Sequence, residues 1–348
     1  MNSRRLNPVI PFLLIFIFMA SVVSGSSRPL RTIWVKVVAD QHFGRQNSWE
    51  KKANQQLDKV SELLAEHLGV RLEIISYEKW YHENEKDMKR LAAQMIEEVE
   101  LDQADILIGF TLRSGSKKMK SLRNDGVTLA YQGMLLKMYQ GAPDHNAFLP
   151  IIILHEMVHM FGGVHIESGS LMSTQMEGDI KLKLDPLNRR ILDLTREIDF
   201  KKGYSSLRAD DIVRLAHLYE RAISTGNNEI PTYLELGSMY MTLGQFEQAI
   251  EPFQQVIEIN QSMEYAWLSW GDCYYKLDDS ETAIDIFNKA LNSVEEKGQF
   301  YHRLSVLHYN RGEYNKSYQC ALDADRHGFP VKSDLWARLQ EIKKTSGL

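Results

Sequence analysis

Apolar residues recur at period two in short stretches and at three and four in longer ones, and this switching sets out the first half of the chain. From Thr32 to Ala39, Ile33, Val35 and Val37 alternate with Trp34, Lys36 and Val38, which predicts a strand. From Trp49 to Leu68 the spacing of Ala53, Leu57, Val60, Leu63, Leu64 and Leu68 predicts a helix that Gly69 ends. Val70 to Tyr77 alternates again, Asp87 to Val99 returns to the helical period, and Ala104 to Phe110 is a short apolar run of the kind a buried parallel strand shows. This βαβαβ order predicts a twisted sheet with helices packed on it. Further along, Ile151, Ile152, Leu154, Val158 and Phe161 form the buried face of another helix.

That helix carries candidate chemistry. Residues His155 to His165 read His-Glu-Met-Val-His-Met-Phe-Gly-Gly-Val-His. Four residues apart on a helix, His155 and His159 leave the same face and can grip one ion, with Glu156 beside them. A third ligand six residues beyond His159 lies too far along a continuous helix, so the chain must turn. Gly162, followed by Gly163, can take the positive φ this needs and return His165 to the metal. Three neutral imidazoles leave the fourth tetrahedral position of a zinc ion open for water, the arrangement of a catalytic site.

The motif resembles the zinc signature of the metzincin metallopeptidases, and the resemblance covers about Arg31 to Arg221. It implies an α+β catalytic domain built on a twisted mixed sheet with helices, and one catalytic zinc held by His155, His159 and His165, with Glu156 as general base. Ser170 to Ser173 resembles the methionine turn that places Met172 beneath the metal. The stretch before the ligand helix resembles the cleft-lining edge strand, so Val127, Thr128, Leu129, Ala130, Tyr131, Gln132 and Gly133 are expected to bind an extended peptide. An unpaired edge offers N–H and C=O groups for that purpose, whereas a hairpin arm covered by its own loop does not. Leu207 to Tyr219 resembles the helix that closes the catalytic domain of the matrixins. Ile166 stands where matrixins and adamalysins carry Ser or Asp, which leaves the subfamily open, and Thr174 replaces the metal-reaching tyrosine of astacins and serralysins. The resemblance does not say whether calcium or a second zinc is present.

After Asn227 the pattern becomes a repeat. Tyr233, Leu236, Gly237, Tyr240, Gly244, Ala249 and Phe253 recur 34 residues later as Trp267, Trp270, Gly271, Tyr274, Asp278, Ala283 and Phe287. The spacing matches the tetratricopeptide repeat, which predicts an all-α superhelix over residues 230–340 behind a catalytic domain at 31–225. A third copy, Tyr301, Leu304, Ser305, His308, Gly312, Ser317 and Ala321, is more polar and is expected to turn one face to water. Leu215, Tyr219 and Ala222 share the repeat phase, so the closing helix is expected to stack on the first repeat.

Composition narrows the setting. A net charge of -5 over 348 residues gives no reason to expect nucleic acid. Arg4 and Arg5 precede an apolar run, Val9 to Val23, and small residues follow, which predicts a signal peptide over 1–25 and a secreted or periplasmic protein; uncleaved, the run is a membrane anchor. The only cysteines, Cys273 and Cys320, cannot make a disulfide scaffold, and buried thiols are favoured over a bond between them. His42, His67, His82 and His145 lack spaced partners and are expected to be ordinary histidines. The function expected is a zinc endopeptidase acting on peptide or protein, with repeats that recruit a partner or substrate. The alternative is a repeat scaffold beside a weak or silent peptidase-like domain.

Overall fold

A computed structural model describes residues 29–82, 87–114, 125–129, 132–140, 146, 148–166, 169–173, 183–331 and 333–346. The leading segment 1–25 lies outside these residues, and no helix among those described is long and apolar enough to cross a membrane.

Strands β1 (Arg31–Asp40), β2 (Val70–Trp80), β3 (Ile106–Ser114), β4 (Gly126–Leu129) and β5 (Gly133–Gln140) form one sheet in the order β2-β1-β3-β5-β4. All neighbours are parallel except β4, which runs antiparallel to β5 at one edge. The alternation in β1 decides how the layers pack. Ile33, Val35, Val37 and Ala39 are buried in one cluster with helices α1 (Trp49–Leu68) and α3 (Leu149–Met160). Val38 falls in a second cluster, with Leu91, Ala92 and Met95 of α2 (Met88–Glu98). Both early helices stop and start where the sequence marks them. Gly69 takes φ 63° and closes α1, while the Asp87 carboxylate accepts from the Lys89 and Arg90 amides at the head of α2.

The stretch Val127 to Gly133 is not one strand. Leu129 and Gly133 face each other across a tight reversal, and the Gln132 amide donates to the Leu129 carbonyl at 3.2 Å. Only Val127, Thr128 and Leu129 therefore lie on the edge strand; Ala130 and Tyr131 are outside the described residues. Gln132 is an exposed turn residue, and Gly133 begins β5 in the sheet interior. A Cβ on Gly133 would stand 2.6 Å from the Leu107 carbonyl oxygen, so this strand can come in at that point only with glycine.

Beyond the sheet lie α4 (Pro186–Thr195), a short 3-10 turn (Gly203–Ser206) and α5 (Ala209–Ser224). Antiparallel helix pairs follow: α6 (Ile230–Thr242) with α7 (Phe246–Ile259), α8 (Glu264–Lys276) with α9 (Ser280–Ala290), and α10 (Gly298–Asn310) with α11 (Tyr314–Arg326). The helices of the first two pairs approach closely because one partner lacks a side chain. A Cβ on Gly237 would lie 2.7 Å from the Phe253 ring, and one on Gly271 would lie 2.2 Å from the Phe287 ring.

The third pair departs from expectation, because its polar residues are not in water. Ser305 and Ser317 are fully buried, and each hydroxyl donates to the other's carbonyl, at 2.9 and 2.8 Å. Two serines satisfy each other where Gly and Ala would otherwise meet. The last helix, α12 (Ser333–Ser346), covers this pair through stacking of Trp336 on Tyr318. Cys273 and Cys320 are free thiols, and burial pushes them up to about 12 and about 11.

Candidate metal centre

Three local features bring the histidines together. On α3, His155 and His159 stand one turn apart. The helix then breaks at two glycines required for different reasons. Gly162 takes φ 82°, and a Cβ on Gly163 would meet Val158 Cγ1 at 2.3 Å. Past the bend, the buried Asn188 side chain pins Val164 from both sides. It accepts from the Val164 amide at 2.8 Å and donates to its carbonyl at 2.9 Å. His165 is thereby returned to the histidines of α3.

The three Nε2 atoms lie 3.1 Å (His155–His159), 3.2 Å (His155–His165) and 3.2 Å (His159–His165) apart. Each Nδ1 is engaged on the outer side. His155 Nδ1 donates to the Leu171 carbonyl at 2.8 Å, His159 Nδ1 to the Gly163 carbonyl at 2.8 Å, and His165 Nδ1 to Glu229 Oε2 at 2.6 Å. Carbonyls and carboxylates only accept, so the neutral rings carry their protons on Nδ1 and turn three bare lone pairs toward one point. Such an arrangement is repulsive without a cation. A tetrahedral zinc bound by nitrogen at about 2.05 Å requires nitrogen–nitrogen separations of about 3.3 Å, so this donor set fits zinc. Burial first, then the neighbouring histidine, lowers His155 to about 4; burial and His165 do the same for His159, so both are neutral and competent as ligands. Among the described residues these three form the one cluster of His, Cys, Asp or Glu with ligand atoms close enough to share an ion. His42 and His67 stand apart from it, His82 lies 3.6 Å from the buried Asp40, and His145 is outside the described residues.

Met172 is fully buried, and its turn supports the site through the backbone. The Ile166 amide donates to the Met172 carbonyl at 2.9 Å, which ties the residue after His165 to this turn. Leu171, not Met172, supplies the carbonyl that holds His155. Thr174 lies outside the described residues.

Glu156 packs against the edge strand. Its carboxylate accepts from the Thr128 hydroxyl, so a residue of the expected substrate strand also holds the acid. A Cβ on Gly126 would lie 2.7 Å from Glu156 Cγ and Oε1, so only glycine lets β4 come this near. Burial pushes the Glu156 carboxyl above the ordinary range, while His155 and Thr128 draw it back.

A cavity of about 1090 Å³ opens over the histidines. Val127, Thr128 and Leu129 line one side, and Ile230, Leu234, Ile259 and Met263 from the repeat helices line the other. Three residues here carry no functional signal in the sequence: Tyr219, Asn227 and Glu229. The Tyr219 hydroxyl donates to the Gly162 carbonyl, and Asn227 Nδ2 donates to the His165 carbonyl at 2.9 Å. Asn227 to Pro231 is legible as a helix start, but nothing local says that it faces a histidine 64 residues away.

Residues 230–263 and 265–294 match the tetratricopeptide repeat family. These helices are tetratricopeptide repeats. Stacked units of this kind build extended concave surfaces suited to protein partners. A TPR repeat-containing protein of Methanocaldococcus jannaschii is 28% identical over 120 residues, 34% of this chain and 21% of that protein. The chain thus spans about a fifth of the length of this curated relative. One crystal structure of MamA shares 17% identity over 48% of this chain and 88% of that one, with a TM-score of 0.36. A second shares 21% over 34% and 65%, with a TM-score of 0.32.

Proposed function

We propose that the chain is a zinc-dependent endopeptidase of metzincin type, working outside the cytoplasm, whose tetratricopeptide repeats recruit a protein partner or substrate. Three Nε2 lone pairs turned onto one point, with every Nδ1 anchored, carry this reading. His155, His159 and His165 would hold the ion, which when bound supplies Lewis acidity and lowers the pKa of water at its open position. Glu156 stands beside the ligands with its proton affinity raised by burial, which suits a group that takes a proton from water and returns it to a leaving amine. Thr128 and Gly126 keep that carboxylate against the edge strand. The backbone of Val127 to Leu129 would hold an extended peptide across the cavity. The apolar run at Val9 to Val23, preceded by Arg4 and Arg5, supports export of the chain or its anchoring at the outer face of a membrane.

A second reading, a repeat scaffold beside a silent catalytic half, is favoured by the family matches, which fall on the repeats. Incubating the zinc-loaded chain with a denatured protein, with and without a chelator, and mapping the products separates the two. Chelator-sensitive cleavage supports the peptidase. Stable zinc binding without cleavage leaves the scaffold.

A further inference from the structure

We propose that the first tetratricopeptide repeat is a working part of the metal centre: Glu229 and Asn227 position His165, so zinc binding and the seating of the repeat on the catalytic half are thermodynamically linked. The proposal rests on the zinc reading above and adds to it a coupling between the site and the partner-binding module.

Neither residue belongs to the ligand motif. Both lie in the connection between α5 and α6, and Glu229 immediately precedes the first repeat helix. Together they hold His165 at two points. Glu229 accepts from the ring Nδ1 at 2.6 Å, while Asn227 donates to the main-chain carbonyl at 2.9 Å. They are also tied to one another and to the repeat. Asn227 Oδ1 accepts from the Glu229 amide at 3.2 Å and from the buried Thr232 hydroxyl at 2.7 Å. The Glu229 carbonyl accepts from the amides of Thr232 and Tyr233 in the first turn of α6.

His155 and His159 differ in this respect, since backbone carbonyls of the catalytic half hold both. A carboxylate on Nδ1 makes the opposite nitrogen a better donor and fixes the ring's direction, and removing such a partner typically weakens metal binding 10- to 100-fold. Coupling of this kind is reciprocal. Whatever shifts α6, a bound partner included, changes the affinity of the ion, and the ion must in turn steady α6 by the same factor.

The test uses the full chain and zinc alone. Zinc affinity is measured by competition with a chromophoric chelator, and cobalt substitution reports the coordination geometry. The expected result is about a tenfold weaker site in Glu229→Gln and a loss toward 100-fold in Asn227→Ala, with the exposed Glu247→Gln unchanged. In the unsubstituted chain, adding zinc should slow amide hydrogen exchange at residues 229–235 as well as at 155–165. Glu229→Gln should weaken the first of these effects and leave the second in place. Wild-type affinity in Glu229→Gln, or zinc protection confined to 155–165, overturns the coupling and leaves the peptidase reading intact. Zinc coupling without peptide cleavage has the reverse meaning. A wild-type chain that binds no zinc overturns both.

Discussion

At the level of single residues, the carboxylate of Glu156 and the glycine beside it make separable demands. Glu156→Gln keeps the volume and a hydrogen-bond acceptor for Thr128 but cannot carry a proton. Bound zinc should be unchanged by elemental analysis, and turnover should fall about 10²- to 10⁴-fold, the usual contribution of a positioned base. Gly126→Ala reaches the same carboxylate from the strand. Its new methyl would sit 2.7 Å from Glu156 Cγ, so the acid or the edge strand must move. Zinc content should again persist while turnover drops by about tenfold or more, since small misplacements at a reacting centre are costly. A Gly126→Ala chain with full activity would show that Glu156 need not sit where it does. Asn188 makes a different demand, because its buried amide satisfies both backbone groups of Val164. Asn188→Ala leaves them unpaired, which should cost about 1–3 kcal/mol in urea unfolding and loosen His165.

Among the elements, those shaped by local periodicity are legible in the amino-acid sequence itself. β1, α1, β2 and α2 follow the switch from period two to period 3.6, and Gly69 and Asp87 mark the ends of helices where glycine and a capping carboxylate belong. The bend at Gly162 and Gly163 is equally legible, because two glycines inside a histidine motif have few other uses. The reversal at Leu129–Gly133 leaves no such trace. Both arms are apolar, and the requirement for glycine at 133 comes from Leu107 on another strand. Ser305 and Ser317 mislead for a related reason: a serine looks polar in sequence, and only the opposite helix shows that its hydroxyl is already satisfied. The α10–α11 turn, which this pair helps close, also holds a test in acid. Lys316 first, with Arg311 and His308, holds the Glu313 carboxyl down to about 2 from an ordinary 4.5. A carboxylate lowered on folding contributes stability that is complete above its unfolded pKa and is lost as pH falls toward the folded one. Protection of the α10 and α11 amides, taken relative to the intrinsic exchange rate at each pH, should therefore fall between pH 4.5 and 2, and Glu313→Gln should flatten that dependence.

For the whole molecule, the division between the sheet-bearing half and the repeats is one of sequence more than of packing. A single buried cluster runs from β1 and α3 through Leu215, Tyr219 and Ala222 of α5 into Tyr233, Leu236 and Phe253 of the first repeat, and on to Phe287 and Phe300. Polar contacts cross the same boundary, with Tyr204 donating to Glu235 at 2.6 Å and Tyr240 donating to Glu220. Solenoid repeats ordinarily exchange stability only with their neighbours. Here the neighbour of the first repeat is the closing helix of the sheet domain, so a defect in the repeat should be felt in the sheet. Phe253→Ala tests this, because the ring is fully buried against Gly237 and far in sequence from any strand. Its loss should cost about 3–5 kcal/mol. Hydrogen exchange followed through a thermal ramp should show the β1 and β3 amides opening together with those of α6 and α7, at a lower temperature than in the unsubstituted chain. If the strands keep their protection after the first repeat has opened, the two halves fold independently. The shared core would then be contact without cooperation, and the bonds from Asn227 and Glu229 to His165 would be the direct link from the repeat connection to the histidines.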